Sequence, residues 1–202
     1  MAAEAGAKEA ELAYAADIGT FGKTRLAISA RELEWKGQHF PLAQIRSARW
    51  GAVRKSVNGI PTGTDYLIAW SDGHRSATVE FRNSTIFEAF ISRLWRALAE
   101  QIFNSIIEQL RAGRELQYGS AIVKDRSVIL RRKKFLGDEP AEFGWGDVSV
   151  STADGSFVIS GPKGSKASGA MSYRDVNNAH FIEALVQLAF KNGSLQLSKT
   201  FD

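Results

Sequence analysis

Phe40-Pro41-Leu42-Ala43-Gln44-Ile45 and Phe143-Gly144-Trp145-Gly146-Asp147-Val148 align position for position at a spacing of 103. The segments around them recur in the same order. Leu33-Glu34-Trp35 matches Val128-Ile129-Leu130 at a spacing of 95, residues 65–70 match 156–161 at 91, and residues 87–91 match 182–186 at 95. The spacing rises by 8 and then falls by 12, which places a longer loop at 131–142 in the second copy and another at 51–64 in the first. The β-type and helical segments keep their lengths, so the chain reads as a duplicated domain.

Periodicity assigns the elements of each copy. Leu26-Ala27-Ile28, Leu33-Glu34-Trp35, residues 45–50, 66–70 and 78–81 are short β-type runs, and Asp72-Gly73 and Asp154-Gly155 are hairpin turn signals. The second copy repeats the pattern with Ala121-Ile122-Val123, Val128-Ile129-Leu130, Val148-Ser149-Val150 and Phe157-Val158-Ile159. Between the copies Ile86, Phe87, Phe90, Ile91, Leu94, Leu98, Ile102, Ile106 and Leu110 recur at three and four, the stripe of one helix face over about 85–112. Thr85 and Glu88 fit a capping box at its start, and Gly113 suits a left-handed stop. A second helix is expected from Ala179 to Lys191, closed by Asn192-Gly193.

A tight first hairpin, the Phe40-Pro41-Leu42-Ala43-Gln44-Ile45 step, an antiparallel meander and one closing amphipathic helix resemble the bacterial pleckstrin-homology-like (PH-like) family, twice in tandem. The carriers in the first copy are Leu26-Ala27-Ile28-Ser29, Glu32-Leu33-Glu34-Trp35, residues 40–46 and the helix from Ile86; in the second, Gly144 replaces the proline. The resemblance implies an α+β fold of two strongly bent antiparallel sheets or barrels, each closed by a C-terminal helix, the first helix extended. The expected organisation is a helical arm over 1–19, PH-like domains over 20–115 and 116–195, and a flexible tail over 196–202. The family mostly binds lipids, peptides or partner proteins. Its inositide-binding members carry a basic signature around the first hairpin, which is here reduced to Lys124-Asp125-Arg126 with a tight turn.

Composition bounds the chemistry. The chain has 202 residues, 44% apolar and 24% charged, with no cysteine, which excludes disulfides, thiolate metal sites and cysteine nucleophiles. Its apolar runs are only a few residues long, far below the roughly 20 of a bilayer span. Residues 1–16 are alanine-rich with Glu4, Glu9 and Glu11, unlike a secretory leader. The expected place is therefore the cytoplasm or the inner face of its membrane. The net charge of +4 is small and spread along the chain, which points away from nucleic acid. His39, His74 and His180 are isolated, and no nucleophile with a base, metal set or phosphate loop can be assembled, so neither a catalytic residue nor a cofactor nor a metal is expected.

Two residue classes remain as candidates. Lys124, Arg126, Arg131, Arg132, Lys133 and Lys134, with Arg54 and Lys55 before the glycine-bearing segment 58–64, could grip phosphates or an anionic membrane surface. The alternative is a solvated strand end neutralised by nearby carboxylates. In strand geometry Arg131 and Lys133 cannot share a face with Arg132 and Lys134. The apolar candidates are Ile129, which takes the outward place of Glu34, and Ile102, Phe103, Ile106, Ile107 and Leu110, which run beyond the reach of the first domain. The helix residues require burial against the second copy, the amino-terminal arm or a partner, and Ile129 contact with the long helix, the other copy or a second chain. The leading expectation is a non-catalytic binding or scaffold module for a protein partner or for self-association. The alternative is peripheral binding to anionic headgroups through the basic loops.

Overall fold

Lys36-Gly37 adopts φ of 53° and 71°, the left-handed pair of a two-residue hairpin. It joins β3 (Glu32–Trp35) to β4 (Gln38–Pro41) in a computed structural model that describes residues 11–19, 22–135 and 137–201. The chain divides into two compact units, Met1–Ile102 and Phe103–Asp202. Both are α+β, and every strand pairing is antiparallel.

In the first unit β1 (Tyr14–Ile18), β2 (Thr24–Ile28), β3 and β4 form one meander. Its covered face follows the period of two: Leu33 lies opposite both Ile28 and Phe40, and all three are buried. The chain then leaves this sheet through a 3₁₀ turn, Leu42–Gln44, whose Leu42 is buried. β5 (Ser47–Val57), β6 (Ile60–Ser71) and β7 (Ser76–Phe81) form a second sheet. Helix α1 (Ser84–Arg111) covers the apolar face with Phe87, Phe90, Leu94 and Leu98. Trp70 takes the edge of Phe40 at 5.8 Å and stacks on Phe90 at 6.2 Å, so strand, sheet and helix meet at one indole. Gln101 donates from Nε2 to the carbonyls of Leu42 and Ile45 at 2.8 and 3.0 Å, fixing the turn to α1.

The second unit repeats this order. β8 (Leu116–Tyr118), β9 (Ala121–Val123), β10 (Ser127–Lys134) and β11 (Gly137–Gly144) lead into a 3₁₀ turn, Trp145–Asp147. β12 (Ser149–Ala153), β13 (Ser156–Ser160), β14 (Ala167–Ser172) and α2 (Ala179–Lys191) follow. Here the seven strands make one sheet, because β10 pairs with β9 through Val128 and Ile129 and with β14 through Arg131 and Arg132. The close approach needs Gly169: a Cβ there would lie 2.7 Å from that of Ala121. Trp145 replaces Leu42 as the buried residue of the turn, packs on Phe190 and donates from Nε1 to the Lys124 carbonyl at 3.2 Å. The buried face of α2 is Phe181, Ile182, Leu185, Val186 and Ala189.

Several expectations change. No pairing among the described residues closes either set of strands into a barrel: the first unit keeps two separate sheets, and the second spreads its strands into one. The expected helical arm over 1–19 contains strand β1, since Tyr14 to Ile18 pair with β2 along its whole length; residues 1–10 lie outside the described ones. The cap of α1 is Asn83, whose Oδ1 accepts the Ile86 N–H at 3.0 Å, two residues before the expected Thr85. Gly113 does stop the helix, with the Arg114 N–H bonded to the Gln109 carbonyl at 3.0 Å. The two compact units meet at 102/103, inside α1, whereas the sequence placed the boundary beyond its end.

The tail expected to be flexible over 196–202 is docked through Thr200. Asp125 accepts the Ser198 N–H and the Gln196 amide at 2.8 and 2.7 Å, and Leu197 and Ser198 are buried. Arg111 donates to the Ser198 carbonyl at 3.0 Å.

Trp145→Ala removes the buried side chain on which the second turn is built, and a loss of about 3–5 kcal/mol in urea unfolding is expected. Asp72 supplies a pH test. Its carboxylate accepts the N–H groups of Arg75 and His74 at 2.7 and 2.9 Å and pairs with the Arg75 guanidinium, which lowers its pKa from 3.8 to about 2. The folded value lies below the unfolded one, so this contribution is present above pH 3.8 and is lost as pH falls towards 2. The difference in melting temperature between wild type and Asp72→Ala is therefore expected to be constant above about pH 5 and to shrink between there and about pH 2.

Candidate functional site

The two longer loops inferred from the changes in spacing are both β-hairpins. At 51–64 the strands β5 and β6 stay paired, with one register shift between Lys55 and Ser56, out to Val57 opposite Ile60, and are joined by Asn58-Gly59 with φ of 51° and 80°. The glycine-bearing segment is thus a two-residue turn and one strand of a ribbon. At 131–142, β10 and β11 continue to Lys134 opposite Gly137, and Phe135 stands in the turn, fully exposed. Six large apolar side chains are exposed among the described residues, and four of them, Val53, Val57, Ile60 and Phe135, stand on these two arms. Water-facing apolar groups are thereby concentrated on the parts of the chain that the cores do not use.

Pleating sorts the cations of the β10–β11 arm. On one face Arg132 and Lys134 share Glu139, at 3.5 and 2.6 Å. On the other face Arg131 lies opposite Pro140 and Lys133 opposite Asp138, and both cations are exposed with no ion pair among the described residues. The fold adds two lysines that the run of sequence did not include. The Lys133 N–H bonds to the Lys166 carbonyl at 3.2 Å, which brings the β13–β14 loop, with exposed Lys163 and Lys166, beside the arm. The arm and this loop together carry six cations, Arg131, Arg132, Lys133, Lys134, Lys163 and Lys166, against the two carboxylates Asp138 and Glu139, an excess of four positive charges. A lysine-bearing turn free of carboxylates at 161–166 is the only sequence signal for this. The pairing of β10 with β14 that makes it relevant joins residues 35 or more apart.

Lys124 and Arg126 do not join this patch. They precede β10, eight residues long, while Phe135 follows its far end, a separation of more than 20 Å at about 3.3 Å per residue. Lys124 binds Glu115 at 2.9 Å and Glu142 at 3.2 Å, and these hydrogen bonds, Glu115 first, raise its pKa. The Ser127 hydroxyl and then Lys124 lower that of Glu142. Arg126 donates to Gln196. In the first unit Lys55 pairs with Asp65, which also takes Arg82 at 3.0 Å; the Lys55 contact is the main cause of a lowered Asp65 pKa. Arg54 remains exposed.

The apolar candidates lie elsewhere. Ile102, Ile106, Ile107 and Leu110 are buried in the chain. Phe103 is half-buried and packs on Phe181 and Phe201 at 5.8 and 5.6 Å. Ile129 is half-buried beside Ile122, its partner on β9, so the outward apolar pair covers itself in part. The remaining polar cluster locks α2 to the sheet: Glu183 accepts from Tyr173 at 2.7 Å, Thr152 at 3.0 Å and Gln187 at 2.9 Å, while Tyr173 stacks on His180. Burial first, then Glu183, raises the Tyr173 pKa to about 12.

α1 is 28 residues long, yet no helix among the described residues is long and apolar enough to cross a membrane. No protein-family profile matches the chain, and neither a curated protein nor a solved structure is significantly similar to it.

Proposed function

We propose that the chain is a non-catalytic pair of PH-like domains that attaches peripherally to anionic lipid surfaces through the β10–β11 arm. The observation that carries this reading is Phe135, fully exposed at the tip of a hairpin whose β10 carries Arg131, Lys133 and Lys134, with the loop of Lys163 and Lys166 hydrogen-bonded to Lys133. An aromatic ring at a convex tip gains by entering the interfacial region of a bilayer, where its apolar body leaves water. The flanking cations gain about 1 kcal/mol each near an anionic leaflet, which is a factor of about five in partitioning per charge. Neither term alone anchors a protein, and the two together do.

The same geometry favours a membrane over the protein partner that the apolar helix residues first suggested. Those residues, Ile102, Ile106, Ile107 and Leu110, are consumed by the core and present no surface. The repeated order of four strands, 3₁₀ turn, three strands and helix supports the tandem PH-like reading of the scaffold.

Sedimentation with phosphatidylcholine vesicles containing phosphatidylserine is the test. Wild type is expected to pellet with them at low salt, to stay in solution with pure phosphatidylcholine, and to be released by high salt. Phe135→Ser is expected to lower partitioning about tenfold or more at an unchanged melting temperature, since the ring buries nothing in the fold. Lys133→Ser should lower it about fivefold. Equal pelleting of wild type and Phe135→Ser, or no pelleting of wild type at low salt, overturns the proposal.

A further inference from the structure

We propose that the β5–β6 arm of the first unit is a second membrane anchor in its own right, with Val57 and Ile60 as its inserting pair. Its observations are separate from those of the β10–β11 arm. β7 ends where Phe81 pairs with Tyr66, so beyond that point β5 and β6 form a two-stranded ribbon that no third strand supports. Val57 and Ile60 face each other across Asn58-Gly59 and are 61% and 68% exposed, and Val53 further down the ribbon is 41% exposed. The ribbon places apolar groups at its far end, where they stay mostly exposed.

The shape of the arm selects the occupant. A partner strand added along β5 meets the irregularity between Lys55 and Ser56 and the cations Arg54 and Lys55, all devices that discourage edge pairing. A strand added along the outer side of β6 meets Pro61, which has no N–H to give. The edges are closed to pairing while the tip is open. Two aliphatic side chains and a proline on a convex turn cover far less than the roughly 800 Å² per partner of a stable protein interface. They do suit the headgroup–acyl boundary of a bilayer, which has no shape to match. Charge agrees: residues 53–64 contain Arg54 and Lys55 and no carboxylate, so the tip approaches an anionic leaflet without repulsion. Asp65 sits at the base, paired with Lys55 and Arg82, where it stiffens the ribbon.

The chain lacks cysteine, so single labels can be placed at will. Ile60→Cys and Phe135→Cys, each carrying a polarity-sensitive fluorophore in the otherwise intact chain, are to be titrated with phosphatidylserine-containing vesicles. The label at 60 is expected to shift to the blue and to be quenched by a lipid-borne quencher. A shift at 135 with none at 60 overturns this inference and leaves the β10–β11 arm standing. A shift at 60 with none at 135 supports it and removes the other arm, and no shift at either overturns both. In the unlabelled chain Val57→Ser with Ile60→Ser is expected to weaken vesicle binding about tenfold, and unchanged binding overturns the proposal.

Discussion

Everything else in each unit depends on one handover, the 3₁₀ turn at which the first four strands give way to the next three. Its leading side chain, Leu42 in one unit and Trp145 in the other, is buried, and that burial fixes where the chain changes direction. A sheet that does not close on itself leaves one apolar face open to water, and a helix must cover it. Phe87, Phe90, Leu94 and Leu98 do this in the first unit and Ile182, Leu185, Val186 and Ala189 in the second. The turn is then tied back from outside its own strand: Gln101 holds the carbonyls of Leu42 and Ile45, and the Trp145 indole holds that of Lys124. The first tie satisfies carbonyls of the turn itself, and the second uses the turn's own indole to satisfy a carbonyl between β9 and β10.

That handover separates the scaffold from what has been added to it. The second unit builds its β12–β13 hairpin from two strands of five residues, whereas the corresponding β5 and β6 run to 11 and 12. Four-residue strands β3 and β4 suffice in the first unit, whereas β10 and β11 have eight residues each. Each unit has thus lengthened a different hairpin, and the extra residues bury almost nothing. Isolated two-stranded ribbons are marginal in water, so such extensions cost backbone entropy that the core does not return. Exposed Phe135, Val57 and Ile60 stand at or beside the tips of these extensions.

Much of this was legible in sequence because it depends on local period and on short turns. The spacings of 95 and 103 correspond to β3 with the start of β10 and to the two 3₁₀ turns, and the helix stripes coincide with the buried faces except at Ile86 and Ile91, which are half-buried. The misreadings share a cause, which is that the deciding contact is distant. Tyr14 to Ile18 looked helical through its alanines until β2 supplied a pairing edge. Ala167–Ser172 has small residues because Gly169 passes against Ala121, a constraint with no local signature. The C-terminal residues looked frayed because nothing nearby announces that Asp125 will capture the Gln196 amide and the Ser198 N–H. Asn58-Gly59 is a hairpin signal obscured by Pro61 and Gly63 beside it.

The candidate site was legible as a run of charge and only partly as a surface. Strand geometry splits Arg131-Arg132-Lys133-Lys134 between two faces, and Glu139 engages one face while the other stays open. Lys124, just before the same strand, carries the same charge but spends it on Glu115 and Glu142. A cation held by two carboxylates offers little to a third anion, whereas Lys133, Lys163 and Lys166 have no competing ion pair among the described residues. What distinguishes a binding patch from a solvated strand end is therefore the placement of carboxylates across the strand more than the count of cations along it. In this chain that placement leaves Arg131 and Lys133 without an ion pair among the described residues, on the strand that leads to the fully exposed Phe135.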